Sequence, residues 1–203
     1  MNLVTGATGI VGLRLVYDLL LREQAVRALK RTGSDMAFAE RVLRFYGATD
    51  IQLKQIEWVD GDLLDIFSLE AALDGITTVY HCAALVSYDK KDKKKLFQVN
   101  EGGTKNLVNA CLASDVKTLC HISSVAALGV NKEGPTTEKT HWQRDENRST
   151  YGLTKFLAER EVWRAGAEGL DVVVVNPSII IGPAKADQSS GMLLSILQKG
   201  SKY

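Results

Sequence analysis

Short apolar runs alternate along the chain with longer stretches whose apolar positions recur at helical spacing. The pattern predicts strands at 2–5, 25–30, 55–59, 77–82, 117–122 and 171–175, and a long helix over 149–167. Strands separated by helical segments cannot close as hairpins, so the expected architecture is α/β, a doubly wound parallel sheet with helices on both faces. The run Asp171-Val172-Val173-Val174-Val175 is apolar on both faces, which predicts a central strand covered twice. Open sheets of this kind bind ligands outside the carboxyl ends of their strands. Chemistry is therefore expected in the loops after Thr5, Lys30, Val59, Cys82, Ile122 and Val175.

Composition narrows the function classes. A chain of 203 residues that is 45% hydrophobic buries one sizeable core, and no segment repeats. The balance of 25 basic against 24 acidic residues, a formal charge of +1, gives no electrostatic case for nucleic acid or a membrane surface as partner. Cys82, Cys111 and Cys120 are odd in number and lie in apolar runs, as buried thiols of a reducing compartment do. Neither they nor the three histidines have metal-ligand spacing, so no metal is expected. No stretch approaches the roughly 20 apolar residues that span a bilayer, and no basic leader precedes the first strand, so a cytoplasmic location is expected. The run Lys90-Lys91-Asp92-Lys93-Lys94-Lys95 reads as a solvated surface, and His81 and His121 as packing residues. His141 and Trp142 occupy a polar loop before the long helix, a position suited to a substrate entrance.

Three motifs and one pair of cations carry candidate chemistry. Thr5-Gly6-Ala7-Thr8-Gly9-Ile10-Val11-Gly12 follows the first strand and opens a helix. Its glycines permit a tight turn against a pyrophosphate, with the amides of the helix start facing the phosphates. After the second strand, Lys30 and Arg31 stand where a carboxylate would take the adenosine ribose of NAD. Two cations there suit a 2′-phosphate and favour NADP over NAD, the alternative being two solvated side chains at a strand end. In Gly61-Asp62-Leu63, Asp62 has the position to accept from an adenine amino group while Leu63 packs on the ring, and equally the position to cap the next helix.

The third motif is Tyr151-Gly152-Leu153-Thr154-Lys155. Four-residue spacing puts phenol and ammonium on one helix face, where the cation would favour the phenolate and lower a pKa that is ordinarily about 10. Ser123 and Ser124 close the fifth strand at its carboxyl end, a place from which a hydroxyl can hydrogen-bond a substrate oxygen or simply turn the chain.

Taken together, these residues resemble the extended short-chain dehydrogenase/reductases, the NAD(P)-dependent epimerase/dehydratase superfamily. The resemblance rests on Gly6, Gly9 and Gly12, on Gly61-Asp62-Leu63, on His81-Cys82-Ala83-Ala84, and on Asn100 in Val99-Asn100-Glu101-Gly102-Gly103-Thr104. It continues through Ser123-Ser124 ahead of Gly129, the Tyr151/Lys155 pair, and Asn176-Pro177-Ser178 before Gly182-Pro183. It implies a Rossmann fold and a catalytic triad of Ser124, Tyr151 and Lys155, with Ser124 chosen by its distance from Gly129 and Ser123 as the fallback. It also implies that Thr8, Ile10, Cys82, Ala83, Ala84, Asn100, Pro177 and Ser178 line the cofactor with the glycines, Tyr151 and Lys155.

Within the family, the Val-Arg-Ala-x-x-Arg run of residues 26–31 looks like the dihydroflavonol-4-reductase-like and 3β-hydroxysteroid-dehydrogenase-like branch. The expected function is then an NADP(H)-dependent alcohol/ketone oxidoreductase acting on a small-molecule substrate, as a homodimer by family resemblance. A sugar-nucleotide epimerase/dehydratase holding NAD and a non-catalytic cofactor-sensing domain are the alternatives. Family members are longer, so residues 1–183 are expected to form the NAD(P)-binding domain and 184–203 to begin an incomplete substrate-binding region.

Overall fold

The computed structural model describes residues 1–131, 133–140, 142 and 149–185. The residues 186–203 expected to continue a substrate-binding region, and His141, lie outside the described residues. Six strands appear where the apolar pattern placed them: β1 (Asn2–Thr5), β2 (Val26–Lys30), β3 (Ile56–Asp60), β4 (Thr78–His81), β5 (Thr118–Ile122) and β6 (Asp171–Val175). All pair in parallel in the order β3-β2-β1-β4-β5-β6. The fold is a Rossmann-type α/β sheet, wound outward in both directions from β1, with its topological switch point between β1 and β4.

Seven α-helices complete the layers: α1 (Ile10–Leu21), α2 (Met36–Tyr46), α3 (Asp50–Lys54), α4 (Ile66–Ala72), α5 (Lys93–Leu96), α6 (Gly103–Leu112) and α7 (Thr150–Ala167) among the described residues. Because strand side chains alternate between faces, each strand feeds two cores. Leu3, Val79 and Leu119 join Leu69 of α4, Leu107 and Val108 of α6 and Val162 of α7 on one face. Val4 and Ala28 join Leu13 and Val16 of α1 and Val42 and Leu43 of α2 on the other.

The expectation for β6 is corrected. It is the edge of the described sheet, not a central strand. Val172 and Val174 pack against the α4/α6/α7 core, while Val173 and Val175 on the opposite face remain 50% and 44% exposed. The helices of that opposite face, α1 and α2, pack over β1 and β2 and each other, so β6 is covered once among the described residues. The three thiols are free, Cys111 buried and the other two half-buried. Among the described residues no helix is long and apolar enough to cross a membrane, and no cluster of His, Cys, Asp or Glu could hold a metal ion.

Candidate active site

At the switch point, the loop between β1 and α1 meets the end of β4. Gly6 has a φ of +64°, and a Cβ there would lie 2.7 Å from the backbone of Ala83. A Cβ on Gly12 would lie 2.2 Å from the Gly6 carbonyl oxygen. Only glycine lets the turn close and α1 begin directly under it. The Gly9 amide donates to the Gly6 carbonyl at 2.9 Å, and Gly9 caps α1 with no side chain in the way. The unpaired amides of the first turn of α1 are therefore presented to the crevice beside Thr8 and Ile10, which suits a phosphate.

An open cavity of about 470 Å³ lies between the loop after β2, with Arg31, Thr32 and Ser34, and the loop after β3, with Asp60 and Asp62. The two candidate cations behave differently there. Lys30 is paired with Asp60 at 2.6 Å across the β2–β3 pair. Arg31 lines the cavity and makes no ion pair among the described residues. Asp62 also lines it, while its carboxylate accepts from the Leu64 amide at 2.9 Å; Asp65, not Asp62, caps α4. Leu63 departs from expectation, being 7% exposed and packed in the core against Gly103 instead of facing the cavity.

Ser149 caps α7 by accepting from the Gly152 amide at 3.0 Å. A Cβ on Gly152 would lie 2.7 Å from the Ala126 carbonyl, so a glycine here lets the helix start close against the 3-10 turn Val125–Ala127 that follows Ser124. That approach sets Tyr151 beside Ser124. Burial pushes the phenol up from its ordinary value, neighbouring Ser124 opposes this, and Tyr88 adds to the rise. Lys155 is not the group that tunes Tyr151 in this structure. Its ammonium, 1% exposed, donates to the Ile122 carbonyl at 2.9 Å and lies 3.4 Å from His121 Nε2. Burial lowers Lys155 to about 8, against the opposing charge of Glu159.

The buried polar layer behind Lys155 is continuous. His81 is held by Thr5 at 2.8 Å on Nδ1 and by Thr104 at 2.9 Å on Nε2. Its ring lies 5.0 Å from that of His121, whose Nδ1 has no partner among the described residues. Burial and the Lys155 charge hold both imidazoles neutral, His81 at about 3 and His121 well below its ordinary value.

The remaining expected cofactor residues divide. Ala83 lines the crevice through its backbone, Cys82 is half-buried with its thiol pushed up to about 12 by burial, and Ala84 is exposed. Asn100 is corrected to a structural tie. It lies in a π turn (Phe97–Gly102), 1% exposed, with its amide donating to Leu85 O and Thr154 and its oxygen accepting from Leu85 N. Pro177 accepts from the Val125 amide at 3.0 Å and so joins the ends of β5 and β6, and Ser178 is exposed. Trp142 stacks on Phe156 of α7 with ring centroids 4.3 Å apart.

Two neighbours of the triad escaped the sequence reading. Tyr88, 73% exposed, sets its ring edge against Tyr151 at 5.9 Å, and no local pattern marks it. Glu159 accepts from Ser123 at 2.7 Å. Its place four residues after Lys155, on the same helix face, was the available signal.

Residues 2–200 match the model of the NAD dependent epimerase/dehydratase family. "Sterol demethylase protein B" of Methylococcus capsulatus is 38% identical over 184 residues, covering 90% of this chain and 52% of that protein. "3 beta-hydroxysteroid dehydrogenase/Delta 5-->4-isomerase" of Mycobacterium tuberculosis is 30% identical over 203 residues, covering 97% of this chain and 51% of the relative. The chain thus spans about half the length of these relatives. A solved short-chain dehydrogenase/reductase superfamily protein from Agrobacterium tumefaciens with bound NAD superposes with a TM-score of 0.68 at 28% identity, covering 87% of this chain and 48% of that one. With the switch-point glycines and the Ser124, Tyr151 and Lys155 cluster in place, the chain belongs to the NAD dependent epimerase/dehydratase family, among the extended short-chain dehydrogenases/reductases.

Proposed function

We propose that this chain is the cofactor-binding part of an NADP(H)-dependent oxidoreductase that moves a hydride between nicotinamide and an alcohol or ketone carbon. The observation that carries the reading is the close seat of Gly152 on the Ala126 carbonyl, which sets Tyr151 beside Ser124, with Lys155 one helical turn further on. The glycine-built crevice and the amides of α1 fit a dinucleotide pyrophosphate, and Arg31 at the cavity after β2 fits a 2′-phosphate. When bound, the nicotinamide supplies or accepts the hydride.

The protein's own residues handle the proton. Tyr151 gives a proton to the substrate oxygen in reduction and takes it in oxidation. Ser124, beside the phenol, donates to the same oxygen and stabilises the charge that develops on it. A buried Tyr151, raised in pKa, stays protonated at neutral pH, which suits the reductive direction as a proton donor. Lys155 places a positive charge beneath the site and is the residue to hold the nicotinamide ribose. Relatives carrying the name of a hydroxysteroid dehydrogenase support the same chemistry. The test is Tyr151→Phe, assayed with NADPH against a panel of ketones and aldehydes. Turnover should fall about 10³-fold with NADPH binding retained, and undiminished turnover refutes the reading. Stoichiometric NAD on the purified protein would favour the epimerase instead.

A further inference from the structure

We propose that Glu159 is a positioning residue for the Ser124–Tyr151–Lys155 site, clamping α7 to the ends of β5 and β6 and placing a carboxylate one helical turn from Lys155. The inference rests on the triad reading above.

Three successive residues at the end of β5 are taken by three successive turns of one helix. Ile122 O accepts from Lys155 and Ser123 donates to Glu159, while Ser124 lies beside Tyr151. The Glu159 carboxylate has two further donors: Asn176 Nδ2 at 2.9 Å on the same oxygen as Ser123, and Trp163 Nε1 at 3.3 Å on the other. Asn176 also donates to the Ser124 carbonyl at 3.2 Å, so the clamp reaches the backbone of the triad serine from the β6 side. Backbone bonds from Ser123 N to Val175 O and from Val125 N to Pro177 O close the same junction on either side of Ser124. With Ser123 held at 2.7 Å by a carboxylate, Ser124 is the hydroxyl left for the phenol.

The charge of Glu159 matters as much as its reach. Lys155 is faced from β5 by His121, from β4 by His81, from the end of β4 by Cys82, and from its own helix by Glu159. Both imidazoles are neutral and the thiol is protonated at neutral pH, so Glu159 is the carboxylate offsetting the burial of the ammonium. Glutamine keeps its one oxygen for Ser123 and Asn176, loses the acceptor for the exposed Trp163 and removes the charge.

The experiment is a pH titration of the Lys155 side-chain nitrogen by ¹⁵N NMR in the full chain without cofactor, with the signal assigned by its loss in Lys155→Met. In Glu159→Gln the midpoint should move down by about one unit with the thermal midpoint retained. Glu159→Asp, which keeps the charge, should hold the midpoint near that of the parent. An unmoved midpoint in a folded Glu159→Gln overturns the proposal. If Glu159→Gln does not fold, Glu159→Asp decides: a parental midpoint supports the proposal and a lowered one overturns it. Loss of the fold in both variants also overturns it, since Glu159 would then be a purely structural residue. The titration needs neither substrate nor turnover, so its failure is distinct from a failure of the triad reading, which Tyr151→Phe tests.

Discussion

Ser123 donates to Glu159 at 2.7 Å, so its hydroxyl is taken up by the third turn of α7. Its neighbour Ser124 lies beside Tyr151 in the first turn, and under the proposed function it is the hydroxyl that serves the substrate oxygen. Ser124→Ala is therefore expected to lower turnover about 10²-fold, the size of effect that follows loss of one donor to a developing oxyanion. Ser123→Ala should cost less, because it loosens a clamp and leaves the donor in place. Comparison of kcat/KM for the two variants checks the assignment, and a larger loss in Ser123→Ala would reverse it.

Arg31 and Lys30 should separate on mutation. Arg31→Ala is expected to weaken NADPH binding about tenfold or more while leaving NADH binding little changed, since a charge-assisted hydrogen bond to phosphate is lost. Lys30→Ala should affect both cofactors alike, because Lys30 is engaged with Asp60. Fluorescence titration with both dinucleotides measures this, and an Arg31→Ala protein with unchanged NADPH affinity would remove the case for the phosphorylated cofactor.

The buried cations and imidazoles predict the pH dependence of stability. His81 has a folded value of about 3 and His121 one well below the ordinary 6.5, so the unfolded chain binds protons that the folded chain refuses. Stability is therefore lost as pH falls below 6.5, by up to about 1.4 kcal/mol per pH unit for each group. Lys155, at about 8 when folded against 10.5 ordinarily, acts at the other end: stability rises from about pH 8 to about pH 9, above which the buried thiols of Cys82 and Cys111, pushed up to about 12 from an ordinary 9, reverse the trend. Thermal midpoints measured between pH 4 and pH 10 test both limbs. Replacing Lys155 by Met should abolish the alkaline rise and keep the acid fall.

Gly12→Ala places a methyl group against the Gly6 carbonyl, with Ala7 Cα also within 2.8 Å. Backbone cannot yield as a flexible side chain does, so destabilisation of about 1–3 kcal/mol and loss of dinucleotide binding are expected. Gly33→Ala is a useful comparison. Its φ of +81° strains any other residue, but nothing lies within 4 Å of the added methyl, so it should cost only the backbone strain. Urea denaturation and cofactor titration distinguish the two.

Periodicity alone located all six strands and α7, because a parallel sheet covered by helices writes itself as apolar runs alternating with helical spacing. The glycine loop was legible for a similarly local reason: tight turns need residues without a Cβ, and Gly6 does hold a positive φ. The Tyr151/Lys155 spacing also announced a shared helix face. Sequence could not say that Lys155 would turn to Ile122 and His121, because those partners are more than 30 residues away and meet it only through the β5–α7 packing.

The same distance effect decided the other departures. Lys30 meets Asp60 because β2 and β3 are in register, and Asn100 is consumed by Leu85 and Thr154 because the loop after β4 folds under α7. The five residues of β6 look buried on both faces by composition, yet strand order leaves one face open among the described residues. A strand's apolar residues record that it prefers burial, whereas which neighbours cover it is a property of the sheet. What the sequence determined by itself is the local part: the fold class, the turn glycines and the spacing of the reacting groups. That Ser123 is tied to Glu159, Lys30 to Asp60 and Lys155 to Ile122 was decided by tertiary packing, since charge and hydrogen bonding act through space between residues far apart in the chain.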